Sequence, residues 1–274
     1  MSRRKDVAVV AGVVGVLFSA GTLMGQHAER AFRWPEGKRV AVSLTFDDAR
    51  ASQVDVGLPL FDRHGARATF YVSPGAVERR LDGWRKAVAK GHEIGNHTDS
   101  HPCTGNYAFS AKNALEDYSL SRIEQELDTA NARIERMLGV KPATFAYPCG
   151  QKFVGRGANV QSYVPVAARR FLACRGWLDE GPNDPARCDL AQVLAMASDG
   201  LTFEQMKALV EGAAARGAWL VLAGHEIGTS GSQTTLAPEL ERFLRYAVDP
   251  ANGVWLDTVE TISRYVQAQR AALR

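Results

Sequence analysis

Cys-x-x-Cys motifs and repeated segments are missing from this sequence. Its 274 residues include only four cysteines, and none forms a Cys-x-x-Cys pair, which argues against a zinc knuckle. No internal repeat and no low-complexity segment occurs, which argues against a repeat architecture. The composition, with 46% hydrophobic and 23% charged residues, is typical of a globular protein with a sizeable core.

Concentrated positive charge is also missing outside the N-terminus. The net charge is only +3 and the pI is near 8.7. Lysines and arginines are scattered along the chain, with no basic run after the first few residues. We therefore expect no nucleic-acid partner.

The first thirty residues differ in composition from the rest of the chain. A basic segment at 2–5 precedes an uncharged segment at 7–25 that is rich in Val, Gly and Ala. We expect residues 1–30 to be a signal peptide or signal anchor with a linker, so that the protein works in the cell envelope or outside the cell. The uncharged segment exceeds the roughly 7–15 residues of a usual signal core, which favours membrane association. A buried N-terminal helix of the fold is the alternative.

From residue 38 onward, apolar runs alternate with segments of helical periodicity. Strands are predicted at 39–46, 66–72, 92–96, 144–147 and 218–223. Helices are predicted at 52–64, 77–90, 112–138, 202–216 and 258–272. This alternation indicates a mainly parallel sheet in one α/β domain that spans residues 38–274.

The most informative feature is a pair of aspartates after the first predicted strand and a pair of histidines later in the chain. Asp47 and Asp48 end the strand, and His97 and His101 stand four residues apart. On a helical turn, that spacing places both imidazoles on one face. Successive side chains alternate along a strand, so one aspartate can bind a metal while the other addresses a water. Aspartates that cap a helix and histidines that bind nothing are the alternatives.

These segments resemble motifs of the NodB-homology polysaccharide deacetylases, carbohydrate esterase family 4. The first two motifs are Thr-Phe-Asp-Asp at 45–48 and His-Thr-Asp-Ser-His at 97–101. Phe-Ala-Tyr-Pro-Cys-Gly at 145–150 sits where the family has its third motif, and Leu-Ala-Gly-His-Glu at 222–226 sits where it has its last. The resemblance implies a distorted (β/α) barrel of the NodB type, with its motifs at the C-terminal strand ends.

The resemblance also implies an activity, the removal of N-acetyl groups from amino-sugar polymers or oligomers such as peptidoglycan, chitin or poly-N-acetylglucosamine. One divalent ion would be bound by Asp48, His97 and His101. Zinc is the first choice for such ligands, and cobalt, nickel or manganese can also serve. Asp47 would act as the general base and His225 as the general acid.

Four further residues are candidates for the oxyanion and substrate site. The backbone N–H of Cys149 matches the family position that helps to hold the oxyanion. Tyr147, Arg175 and Trp177 are candidates for contact with substrate. Ordinary packing is an equally good interpretation for Trp177.

The sequence departs from the family pattern at two positions. Ala146 stands where the family usually has an Arg that pairs with the base, so another cation such as Arg175 is expected to replace it. Ala223 stands where a Leu usually forms part of an acetyl-methyl pocket. Three aspartates are candidates for the group that orients the acid, namely Asp179, Asp189 and Asp199, and Asp199 is preferred because it follows the apolar stretch 193–197.

Several alternatives stay open at this level. The same site would suit an esterase for O-acetylated glycans or a hydrolase for small amides, and a non-catalytic envelope glycan-binding protein would keep the fold. His225 after an apolar strand is also compatible with a core histidine. The four cysteines, Cys103, Cys149, Cys174 and Cys188, have no pairing that the sequence specifies. Neither the glycan nor the oligomeric state follows from the sequence.

Overall fold

The structure, a computed structural model, describes residues 32–273. The strands are β1 Val40–Asp47, β2 Thr69–Val72, β3 Glu93–Asn96, β4 Thr144–Ala146, β5 Phe153–Val154, β6 Gln161–Ser162, β7 Ala173–Arg175, β8 Met196–Ala197, β9 Trp219–Gly224, β10 Glu226–Gly228, β11 Thr234–Leu236 and β12 Val254–Leu256. The helices are α1 Leu58–Arg63, α2 Pro74–Val77, α3 Leu81–Ala89, α4 Leu120–Leu138, α5 Val164–Ala168, α6 Phe203–Ala214, α7 Ala237–Val248 and α8 Val259–Leu273.

Eight strands form one sheet in which every pair of neighbours is parallel. Their order is β7-β4-β3-β2-β1-β9-β8, and β12 also pairs with β1. The segment after β7 links the two ends of this order. The N–H of Val193 donates to the Cys174 carbonyl at 2.8 Å, while β8 pairs with β9. The expected parallel α/β sheet is thus confirmed, and it curves into a partly closed barrel.

Alternate residues of β1 face two different layers. The outer layer packs against helices and contains the larger β1 side chains, Val40, Val42, Leu44 and Phe46. The inward residues are small or polar, since Ala41 packs beside Trp219, and the Trp219 indole N–H donates to Ser43 at 3.1 Å. Strand alternation makes Asp47 the last inward residue, at the C-terminal end of the barrel interior.

The helix expected at 52–64 is α1 only from Leu58 to Arg63, and a π-helical segment at Gln53–Gly57 precedes it. Two other predicted helices also have different bounds. The helix expected at 112–138 begins only at Leu120, because Ser119 caps it by accepting a hydrogen bond from the Arg122 N–H at 3.2 Å. It ends as expected at Gly139, whose φ of 72° is a left-handed conformation suited to glycine. The helix expected at 77–90 is interrupted at Arg80, where φ reaches −139°.

The predicted N-terminal signal or anchor lies outside the described residues. Within residues 32–273, no helix has both the length and the apolar character that crossing a membrane requires.

Candidate active site

Three predicted metal ligands come together above the C-terminal end of β1. The Nε2 atoms of His97 and His101 lie 3.6 and 3.4 Å from Oδ1 of Asp48. One ligand atom from each residue falls within 4.8 Å of the other two. A carboxylate oxygen and two imidazole nitrogens converging in this way are a set of atoms that could hold a divalent metal ion.

The two histidines converge through a strained turn rather than a helix. Their rings lie 4.8 Å apart, but Thr98 and His101 have φ of 63° and 51°, and no helix forms between residues 97 and 101. The expectation of a helical turn was therefore wrong, although the two side chains do meet. The Thr98 N–H donates to Asn96 Oδ1 at 2.7 Å, which helps to hold the turn. Such strain is typical of functional sites.

The hydrogen bonds leave the metal-facing atoms free. Nδ1 of His97 donates to the Ala146 carbonyl at 2.8 Å, so Nε2 carries the free lone pair. Arg50 donates to Oδ2 of Asp48 at 2.9 Å, so Oδ1 stays free on the side that faces the two histidines. The contribution of Arg50 was not expected from the sequence.

The charge states of two of these groups also suit a metal. Burial acts to raise the pKa of Asp48, but the neighbouring His97, His101 and Arg50 outweigh it and lower that pKa. Burial, with repulsion from His97, lowers the pKa of His101 to about 4. An ionised carboxylate and a neutral imidazole are the forms that bind a cation.

Asp47 forms a buried ion pair with Arg175. Nη2 of Arg175 donates to Oδ1 of Asp47, and Nη1 donates to the Gly176 carbonyl at 2.7 Å. Ala146 of β4 is the register partner of Arg175 on β7. The cation expected at residue 146 is thus supplied by the neighbouring strand at the same level. Arg175 is fully buried and does not line the cavity, so the expectation that it contacts substrate is not supported by its position.

His225 is oriented by Asp199. Nδ1 of His225 lies 2.8 Å from Oδ2 of Asp199, and the backbone N–H of His225 donates to Oδ1 at 3.2 Å. Thr235 donates to the same oxygen at 3.0 Å, which fixes the carboxylate. Burial acts to lower the pKa of His225, but the Asp199 hydrogen bond and the charges of Asp47, Asp199 and Asp48 raise it.

The other two candidate aspartates have different roles. Oδ2 of Asp179 accepts from the Ala195 N–H at 2.9 Å, and Asp189 caps a short helix by accepting from the Ala191 N–H at 2.9 Å. Gln53, which the sequence did not single out, joins the acid and base segments. Its Nε2 donates to the carbonyl oxygens of Asp47 and His225 at 2.6 and 2.8 Å.

The two aspartates of the first motif and the three candidate histidines line one cavity of about 670 Å³. It is lined by Asp47, Asp48, Arg50, His97, His101, Tyr107, Phe109, Cys149, Trp177, Leu178, His225 and Gln233. Trp177 packs edge-on against His225 with ring centroids 4.8 Å apart. Tyr147 is absent from this lining; it is buried, and its hydroxyl donates to the Ala191 carbonyl at 2.9 Å.

A disulfide joins Cys103, two residues beyond His101, to Cys149 of the third motif. The sequence left this pairing open. The sulfurs lie close to His101, but a disulfide has no thiolate to offer a metal, so they do not form a second ligand set. Cys174 is buried and Cys188 is half-buried, and both are free thiols.

Comparisons with known proteins confirm the family resemblance. Residues 34–162 match the family model described as polysaccharide deacetylase. The uncharacterized protein YlxY of Bacillus subtilis is 34% identical over 120 residues, 44% of this chain and 32% of that protein. The peptidoglycan-N-acetylglucosamine deacetylase PgdA of Listeria monocytogenes is 40% identical over 73 residues, 24% of this chain and 14% of that protein. The matched part of the chain therefore spans a third or less of these relatives' length.

The fold likeness extends further than the sequence match. A crystal structure of a protein assigned as a polysaccharide deacetylase from Mycobacterium smegmatis has a TM-score of 0.65 at 19% identity, and the match covers 87% of this chain and 94% of that one. At this identity the likeness concerns the fold. The family match at 34–162 includes the aspartate and histidine pairs. Arg175, Asp199 and His225 lie beyond it, and their assignment depends on the geometry.

Proposed function

We propose that this relative of the polysaccharide deacetylases is a metal-dependent hydrolase that removes N-acetyl groups from amino-sugar polymers or oligomers. The observation that carries the proposal is the meeting of three groups in one cavity: the Asp48–His97–His101 ligand set, the carboxylate of Asp47 and the imidazole of His225. Hydrolysis of an amide needs all three functions, an electrophile, a base and an acid.

The metal site belongs to the proposal. Asp48, His97 and His101 would hold one divalent ion, with zinc as the first choice and cobalt, nickel or manganese as alternatives. When bound, that ion would polarise the acetyl carbonyl and lower the pKa of the attacking water. These three residues suit a divalent ion because Nδ1 of His97 is bonded to the Ala146 carbonyl, so its Nε2 is free to bind the ion.

The chain supplies the proton transfers on either side of the amide. Asp47 accepts the proton of the attacking water, and its ion pair with Arg175 fixes the direction of the carboxylate. The backbone N–H of Cys149, at a cavity-lining residue with φ of 54°, donates to the oxygen on which negative charge develops. His225 donates a proton to the departing amine, which leaves poorly without one.

An acid at the cavity favours amide substrates over esters, because an amine depends more on protonation to leave than an alcohol does. The Asp199 hydrogen bond and the neighbouring carboxylates raise the pKa of His225 against the effect of burial, which favours the protonated imidazole. An alkoxide leaving group also gains from protonation, so an esterase for O-acetylated glycans or a small-amide hydrolase on this site is the alternative activity. A non-catalytic envelope glycan-binding protein is the alternative from another class, but binding alone would not require an acid held by Asp199.

An acetate-release screen tests the proposal. The metal-loaded protein is incubated with peptidoglycan, chitin oligomers, poly-N-acetylglucosamine, acetylxylan and a small cyclic amide, beside the matched variant His97→Ala. We expect acetate from at least one N-acetylated glycan and none from the variant. Release from acetylxylan alone, or ring opening of the cyclic amide alone, would select the corresponding alternative. No release from any substrate would favour the binding protein.

A further inference from the structure

Three exposed apolar side chains lie together at the candidate active-site cavity. Within residues 32–273, the large apolar side chains most exposed to water are Val56, Tyr107, Phe109, Phe153, Val160, Leu178 and Val248. Tyr107, Phe109 and Leu178 line the cavity that holds the proposed metal site. We call these three residues the apolar rim. Apolar side chains grouped at a polar cavity are a sign of ligand contact.

Two members of the apolar rim form a flat aromatic surface. The rings of Tyr107 and Phe109 stack with centroids 5.5 Å apart and an angle of 13° between their planes. Phe109 is 70% exposed, and its ring lies 6.2 Å from that of His101. The aromatic surface therefore begins beside a proposed metal ligand and continues toward solvent.

The loop that carries these rings is held in place from several directions. The Cys103–Cys149 disulfide fixes its start. The buried hydroxyl of Ser110 accepts from the Cys103 N–H at 2.8 Å and donates to the Cys103 carbonyl at 2.9 Å. The Thr104 N–H donates to Gln151 Oε1 at 2.7 Å. A braced loop presents its side chains at little entropic cost to binding.

Leu178 reaches the cavity from the side of the acid. It follows Trp177, which packs against His225, and it is 64% exposed. Its φ of 58° is a left-handed conformation that leucine rarely adopts. The Asp179 N–H donates to the Ala195 carbonyl at 2.9 Å, which helps to hold this turn. An exposed leucine kept in a strained conformation at a site entrance points to a role in contact with ligand.

We propose that the apolar rim binds the C–H face of a sugar ring next to the ring whose acetyl group enters the metal site. Pyranose rings have such an apolar face, and aromatic rings and leucine side chains can cover it while the hydroxyls stay in water. The substrate is therefore a chain of at least two sugars rather than a small amide. This inference rests on the proposed function for the identity of the neighbouring ring.

Kinetics on substrates of different length test the apolar rim. The probes are the N-acetylglucosamine tetramer and an activated aryl acetate, which has no sugar. Phe109→Ala should lower kcat/KM for the tetramer about 10-fold, mainly through KM, as expected for the loss of one stacked ring. Activity on the aryl acetate should stay within about 2-fold. Phe153→Ala, an exposed phenylalanine outside this cavity, is the matched control and should change neither.

Leu178→Gly is a second variant that should not disturb the local backbone. Glycine accepts the positive φ without strain, so loss of tetramer activity cannot come from a damaged turn. Equal losses on both probes in either variant, or no loss on the tetramer, would overturn the proposal.

A binding experiment separates this inference from the proposed function. Asp47→Asn should hydrolyse the tetramer about 10²–10⁴ times more slowly than the wild type, so a short calorimetric titration of its metal-loaded form measures affinity with little hydrolysis. We expect Phe109→Ala in this background to weaken binding about 10-fold, the same factor as in the kinetics. If the wild type releases acetate but Phe109→Ala binds the tetramer as tightly as its parent, the sugar-binding role of the apolar rim is wrong and the proposed function stands. If Phe109→Ala weakens binding but the wild type releases no acetate, the proposed function is wrong and the sugar-binding role stands. If the wild type sediments as a dimer and Phe109→Ala as a monomer, with affinity for the sugar tetramer unchanged, the apolar rim would instead be a contact between subunits.

Discussion

Replacing Arg175 by methionine removes the charge behind Asp47 and keeps most of the side-chain volume. Both members of the ion pair are buried, with side-chain exposures of 0% and 5%. Removing one partner of such a pair leaves an uncompensated charge and typically costs about 3–5 kcal/mol. We therefore expect Arg175→Met to lower the free energy of unfolding by that amount, and to lower kcat because the carboxylate loses its fixed direction.

A double variant separates the loss of the pair from the loss of packing. Asp47→Asn together with Arg175→Met removes both charges, so no unpaired carboxylate stays buried. Urea unfolding should show the double variant to be more stable than Arg175→Met alone. If Arg175→Met alone unfolds within about 1 kcal/mol of the wild type, the ion pair does not hold Asp47 as we argue.

A transplanted arginine tests the register argument directly. Ala146 and Arg175 are partners across β4 and β7, so Ala146→Arg combined with Arg175→Ala moves the guanidinium to the strand where the family usually has it. We expect this pair of changes to recover part of the stability and of the kcat lost in Arg175→Ala. An additive loss would show that the two positions do not reach the same carboxylate.

Four other predictions concern the aspartates, the acid, a buried glutamate and the N-terminus. Asp47→Asn should keep the metal, measured by elemental analysis, yet lose about 10²–10⁴ in turnover, whereas Asp48→Asn should lose the metal; the reverse pattern would exchange their roles. His225→Ala should hydrolyse amides very slowly but lose much less activity on activated aryl acetates, and equal losses with an intact circular dichroism spectrum would exclude the acid role. Burial raises the pKa of Glu93 from 4.5 to about 7, so its contribution to stability is complete below pH 4.5 and is lost as the pH rises through 7. Urea unfolding at pH 5 and pH 8 should show a loss of up to about 3 kcal/mol from this group, and a slope unchanged in Glu93→Gln would assign the effect elsewhere. A fusion of residues 1–30 to a reporter that works only after export should be active, and a reporter retained in the cytoplasm would remove the proposed location outside it.

The strand ends were predictable because parallel strands impose a common direction. Four of the five predicted strands, at 39–46, 92–96, 144–147 and 218–223, have a candidate site residue just beyond their C-terminal ends, and parallel pairing brings those ends to one edge of the sheet. That geometry explains why Asp48, His97 and His225 could be grouped from the sequence. The turn at 97–101 could not be predicted, because the positive φ values at Thr98 and His101 arise from tertiary contacts that local propensity does not contain.

The disulfide pairing and the position of the apolar rim could not be predicted from the sequence for a related reason. Cys103 could pair with any of three other cysteines, and the correct partner follows only from the distance between the second and third motifs in the fold. Residues 112–118 have the composition of a helix start, but Ser119 caps the helix later. The helix therefore begins later than the sequence predicted, and the loop that carries Tyr107 and Phe109 is longer than expected.

The exchange at Ala146 indicates what the site requires of the chain. The missing arginine at residue 146 led to the expectation that another cation such as Arg175 replaces it, and the sheet places Arg175 at the same level on the adjacent strand. The requirement is thus a buried guanidinium at one point beside Asp47, and more than one strand can reach that point.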